Sequence, residues 1–139
     1  MANRPEPFVL SLLHGLWAVC RLHPESAVPA WAEGGVFFSA TRTPEELSIV
    51  CEEAAVPQGA KAEKGWAALK LHGPIPFEAT GVLSSLTAPL AGAGISLFAL
   101  STFDTDYLFV KADRFPEAAA ALRKAGIEVR GKPEGTSSG

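Results

Sequence analysis

The chain has 139 residues, 47% hydrophobic and 19% charged, which supports a folded core and excludes disorder as the dominant state. Its 12 Lys+Arg against 15 Asp+Glu leave a formal net charge of -3, without the basic excess that marks a nucleic-acid binder. Two cysteines, Cys20 and Cys51, are too few for a disulfide framework and fit a reducing cytoplasm.

Residues 8–20 are largely apolar, yet Glu6 offsets Arg4 and His14-Gly15 interrupt the run, so they do not read as a signal peptide. Val19 before Cys20 argues against a lipoprotein signal, and no run reaches the roughly 20 apolar residues of a membrane span. The expectation is a soluble, cytoplasmic protein with no membrane partner.

In chain order, 8–13 and 17–22 read as strands around His14-Gly15. Pro24 and Pro29 restrict 24–32 to a short helix, with Trp31 the tryptophan expected at an exposed edge. Strands follow at 36–40 and 47–52, separated by a polar turn. Residues 56–64 carry Pro57 and Gly59 and read as a linker. A strand is predicted over 66–72, ended by Gly73-Pro74. Val82, Leu83, Leu86 and Leu90 fall at spacings of three and four, predicting a helix over 78–92 with a kink or restart at Pro89. Gly92 and Gly94 stop it. Strands over 95–101 and 107–111, an Ala-rich helix over 115–125 and a strand over 127–130 complete the chain.

The second half thus reads β-α-β-β-α-β, which makes a four-stranded antiparallel sheet with two helices on one face. The predicted division is an N-terminal unit over 1–60, a C-terminal domain over 61–131 and a disordered tail over 132–139. Sliding the first half by 60 residues sets Phe38 on Phe98, Val50 on Val110 and Glu46 on Asp106, a weak internal repeat.

The run from Ala93 to Val110 (AGISLFALSTFDTDYLFV) resembles tandem ACT-domain proteins of the arginine-sensor, CASTOR-like type. Gly73-Pro74, Thr80-Gly81-Val82-Leu83 and the segment 37–43 (FFSATRT) share that resemblance, which extends over about residues 8–130. It implies an α+β protein of two ferredoxin-like (βαββαβ) ACT-type units with antiparallel sheets, the first unit degenerate. Related ACT domains serve as regulatory modules in aspartate kinases. The implied function is a non-catalytic module, allosteric in kind, that binds an amino acid at an ACT–ACT interface and acts on a regulated protein partner. The eukaryotic sensors carry four such units and this chain has room for two, so a homodimer is expected. The competing function is a structural interaction module, dimerised through its ACT units and without a small-molecule ligand.

An amino-acid site needs an acceptor for the ammonium, donors for the carboxylate and a shaped pocket. Asp104 and Asp106 offer acceptors to an ammonium or a basic side chain, although Asp also simply favours turns. On the family pattern Thr102, Phe103 and Asp106 are the foremost contacts, with Ser101 beside them. Phe77, Glu78, Thr80, Gly81 and Val82 open the predicted helix, where free N–H groups favour a carboxylate and Gly81 permits close approach. Glu78 or Thr80 equally suits an ordinary helix start.

No catalytic role, metal or cofactor is expected. Ser101 and Thr102 lack a G-x-S-x-G elbow, and His14, His23 and His72 are scattered. Gly92-Ala93-Gly94 is too short for a phosphate loop, and the cysteines match no zinc spacing and read as buried thiols.

Overall fold

The computed structural model describes residues 8–76 and 79–131; Phe77, Glu78 and the expected tail lie outside them. The chain divides into two compact units, one of residues Gly15–Trp66 and one that joins the residues up to His14 to those from Ala67 onward. This division falls six residues after the boundary expected at residue 60.

The unit of Gly15–Trp66 is built on strands β2 (Trp17–Leu22), β3 (Ser39–Arg42) and β4 (Leu47–Glu52), with residues 62–66 of β5 (Ala62–Leu71). The order is β3-β4-β2-β5, all antiparallel. The expected short helix is a single 3-10 turn, Ala30–Ala32, because Pro24 and Pro29 leave no room for more. Strand β3 starts three residues later than predicted. Gly35 has φ 81, and Glu52 holds the following Val36 N–H at 3.0 Å, so this stretch is a loop.

The core lies on one sheet face: Ala18, Cys20, Leu47, Ile49 and Cys51, with Ala32 beneath. The two thiols are buried and unbridged, on diagonal positions of the β2–β4 ladder. Trp31 packs against this core instead of standing at an exposed edge. Trp17 is fully buried, and its Nε1 donates to the Phe37 carbonyl at 3.3 Å.

The other unit contains β1 (Val9–Leu12), residues 67–71 of β5, α1 (Val82–Gly92), β6 (Leu97–Ser101), β7 (Asp106–Lys111), α2 (Phe115–Lys124) and β8 (Glu128–Arg130). The predicted β-α-β-β-α-β order from β5 to β8 is present. One strand is added: β1 pairs antiparallel with β5 and parallel with β8, giving the order β8-β1-β5-β7-β6. The four-stranded antiparallel sheet expected is therefore five-stranded, with one parallel pair. The physical reason is that β1 needs a partner on each side, and both lie more than 50 residues downstream.

Alternation along β5 turns Ala67, Leu69 and Leu71 toward the helices, where Leu108 and Val110 of β7 join them. Helix α2 inserts Phe115, Ala118, Ala119 and Leu122, one stripe at helical spacing, and α1 inserts Leu86 and Leu90. Helix α1 starts four residues later than predicted because Gly81 is left-handed (φ 74), which no helical residue is. It runs through Pro89 without ending. Pro89 removes the donor for the carbonyl of Ser85, an exposed residue.

The repeat between units is real in geometry, but one residue out of the predicted slide. In one hairpin Thr43 N–H donates to the Glu46 carbonyl at 2.9 Å; in the other Thr102 N–H donates to that of Thr105 at 2.8 Å. The turns therefore equate Thr43 with Thr102, Glu46 with Thr105 and Leu47 with Asp106. A one-residue slip on a strand exchanges its faces. The position of the Asp106 carboxylate is thus held in the other unit by buried Leu47, not by Glu46.

Candidate ligand-binding site

The site forms where the chain leaves β5 and passes the β6–β7 turn. The Thr105 hydroxyl donates to the Leu71 carbonyl at 2.8 Å, and Ile75 N–H donates to the Asp104 carbonyl at 2.8 Å. These two bonds strap the segment after β5 to the turn. The approach requires Gly73, where an added Cβ would lie 3.1 Å from the Asp104 carbonyl oxygen.

The turn is itself closed by Thr102. Its hydroxyl donates to the Thr105 carbonyl at 3.1 Å and accepts from the Thr105 N–H at 3.3 Å. One step out along the hairpin, Ser101 and Asp106 are register partners, and Ser101 Oγ donates to Asp106 Oδ1 at 2.5 Å. This fixes one carboxylate oxygen of a half-buried Asp106 and leaves the other for a ligand.

Between this turn and the start of α1 lies a cavity of about 330 Å³. One wall is Ser101, Thr102, Phe103, Thr105 and Asp106; the other is Ile75, Pro76, Ala79, Gly81, Val82 and Leu83. Asp106 is the sole ionisable side chain among these. The first helical hydrogen bond runs from Ser85 N–H to the Gly81 carbonyl, so the N–H groups before Ser85 have no helical acceptor and make this end electropositive. The cavity thus sets a carboxylate opposite a helix start, with apolar surface between. The rim is apolar too, with Leu83 38% and Phe103 79% exposed.

Of the ten residues singled out from sequence, Gly81, Val82, Ser101, Thr102, Phe103 and Asp106 meet in this cavity. Thr80 is exposed and does not line it. Asp104 lies on the other side of the turn, in a separate cavity of about 240 Å³ shared with Lys70, Gly73, Pro74 and Thr105. Phe77 and Glu78 fall outside the described residues. Ile75, Pro76, Ala79, Leu83 and Thr105 were missed. Leu83 gave no separate signal, since its spacing of three and seven from Leu86 and Leu90 reads as part of the core stripe.

Of the histidines, His72 meets a serine, but it is Ser11, at 2.6 Å, and not Ser101. No group of three metal-ligating side chains is present among the described residues. No helix among them is long and apolar enough to cross a membrane.

The ACT-domain family model matches residues 61–124, and a model of an N-terminal domain matches residues 15–59. The human protein CASTOR3P is 34% identical in an alignment of 87 residues that covers 53% of this chain and 53% of that protein. The chain thus spans about half the length of this curated relative. A crystallised protein of Agrobacterium tumefaciens is 38% identical, with a TM-score of 0.85 over 97% of this chain and 99% of that one. The ligand-free regulatory subunit of aspartate kinase from Thermus thermophilus shares the fold alone, at 11% identity and a TM-score of 0.57 over 84% of this chain and 96% of that one. With one relative aligned over nearly its whole length and the domain model over its second half, the chain belongs to the ACT-domain family, as a CASTOR-like member.

Proposed function

We propose that this chain is a non-catalytic regulatory module that binds a free amino acid between the start of α1 and the β6–β7 turn. The observation that carries the reading is the pairing of Asp106 with the electropositive start of α1 across one cavity. An amino acid presents an ammonium to the first and a carboxylate to the second. The half-buried, hydrogen-bonded state of Asp106 supports a built site; an exposed carboxylate pair would have favoured a purely structural module. The regulatory part of the reading rests on the fold shared with an aspartate kinase regulatory subunit.

The apolar rim at Leu83 and Phe103 supports closure of the cavity by a second copy, as a homodimer with its ligand at an ACT–ACT interface. The unbridged thiols fit a cytoplasmic setting. Binding then acts on a protein partner through unequal affinity for two arrangements of the dimer.

The test is a thermal-shift screen of the full chain against the twenty amino acids. At a concentration 100 times Kd a ligand adds about 2.7 kcal/mol to stability. The expected result is a rise in Tm that is lost in Asp106→Asn, while that variant unliganded melts with the wild type. A flat response to all twenty refutes ligand binding and leaves the interaction-module reading. Light scattering checks the dimer.

A further inference from the structure

We propose that Cys20 and Cys51 form a binding site for copper(I), a soft cation that accepts two thiolates in line. The proposal goes beyond the amino-acid site and does not depend on it. Strand β2 pairs with β4 so that Cys20 faces Ile49 and Cys51 faces Ala18, which sets both thiols on one sheet face at diagonal positions. They pack in one core cluster, both buried, and the Cys51 thiol donates to the Cys20 sulfur. Diagonal neighbours on paired strands lie about 7–8 Å apart. A disulfide needs Cα atoms closer, at about 4.4–6.8 Å. Two sulfur–metal bonds of about 2.3 Å set in line hold the sulfurs about 4.6 Å apart and suit the wider spacing.

The surroundings select the ion. The chain has no third cysteine, and the side chains packed around the pair are those of alanine, valine, leucine, isoleucine and tryptophan. Zinc, which takes four ligands, and calcium or magnesium, which take oxygen, do not fit such a place. Copper(I) is held by thiolates. Binding breaks the two S–H bonds, forms two Cu–S bonds and releases two protons to solvent, with no change of oxidation state. The bound unit carries one negative charge, and cations stand near it. Lys64 acts on Cys20 through space, and Lys61 lines a cavity of about 190 Å³ that Cys20 also lines. That cavity, walled by exposed Arg21 and Glu63, supplies the entry path.

The experiment is an anaerobic titration of the full, reduced chain with copper(I) held by a coloured bidentate chelator such as bicinchoninate, on wild type, Cys20→Ala and Cys51→Ala. The expected result is transfer of one copper(I) per chain to the wild type and to neither variant, with both variants folded by circular dichroism. X-ray absorption of the loaded wild type is expected to show two sulfur neighbours and no nitrogen, a readout that stands even if a variant fails to fold. Zinc(II) is expected to stay with its chelator. No transfer to the wild type, undiminished transfer to either variant, a copper shell with nitrogen or a third sulfur, or zinc held as firmly as copper overturns the proposal. Copper transfer alongside a flat amino-acid screen refutes the proposed function and leaves this site standing.

Discussion

Thr105→Val isolates the bond that straps the cavity wall to the sheet. Thr105 is the one buried polar residue among those described, 6% exposed, and its hydroxyl donates to the carbonyl of fully buried Leu71 at 2.8 Å. Valine keeps the shape and removes the donor. A net hydrogen bond contributes about 1 kcal/mol, and stranding a buried acceptor costs about 1–3 kcal/mol. A carbonyl has two lone pairs and Leu71 lies within the β1–β5 ladder, so the lower part of that range applies, about 1–2 kcal/mol. For a domain of this size that is a fall in Tm of roughly 3–10 °C. Circular dichroism melts and urea titrations of wild type and variant measure it. The Thr102 bonds that close the turn use the backbone of residue 105, so the cavity remains and ligand affinity is expected to hold within a few-fold. An unchanged or higher Tm refutes the reasoning, because it means that the hydroxyl's desolvation cancels its bond.

Leu90→Ala removes a fully buried side chain from the contact of α1 with the sheet, and a loss of about 2–5 kcal/mol in urea unfolding is expected. Gly35→Ala places a Cβ 2.0 Å from the Glu52 carboxylate at a left-handed φ of 81, so a loss of about 1–2 kcal/mol is expected in the same assay. Burial pushes the Cys51 thiol up to about 12, helped by nearby Cys20 and Glu52, and burial also raises Cys20. Unfolded thiols ionise near about 8.5, so above that pH the folded state holds more protons than the unfolded one. The thiol contribution to stability is therefore full below about pH 8.5 and falls as pH rises toward 12. The urea midpoint is expected to drop between pH 8 and pH 10, by less in Cys51→Ala. At pH 8 a thiol reagent is expected to label neither cysteine until urea unfolds the chain.

Elements with a local signature were legible. Strands β2 and β4 fall where alternation and turn residues place them, and α2 differs from its predicted end by one residue, because Phe115, Ala118, Ala119 and Leu122 declare one face and Gly126 a stop. What was not legible depends on partners far away in sequence. Strand β1 takes its place from β5 and β8, which no window of a few residues contains. The start of α1 depends on Gly81 adopting a left-handed conformation, which composition permits but does not require. The repeat was visible as a plan and misplaced by one residue; the threonines at 43 and 102, whose hydroxyls bond both turns alike, mark the true register. At the site, Ser101, Thr102, Phe103 and Asp106 share one turn and were found together. Asp104 lines a separate cavity with Lys70, Gly73 and Pro74, a division that spacing alone does not express. Ile75 and Pro76 reach the cavity through the strap to Asp104, a contact that local sequence does not express.

The path of β1 into β5 has a consequence for how the chain is made. Leu12 pairs with Leu69, and Leu13 N–H donates to the Ala68 carbonyl at 2.8 Å, so His14 and Ala67 stand nearly opposite each other on an antiparallel pair. The whole of Gly15–Trp66 is, topologically, an insertion at the tip of a hairpin. An Asn-Gly turn joining residues 14 and 67 would close that hairpin in the shortest way. On the ribosome the inserted unit has all its strands once Trp66 is made. Strand β1, synthesised first, waits for β8 near the far end of the described chain before both its edges are covered. Strand β1 is thus sealed only after the whole inserted unit has been made.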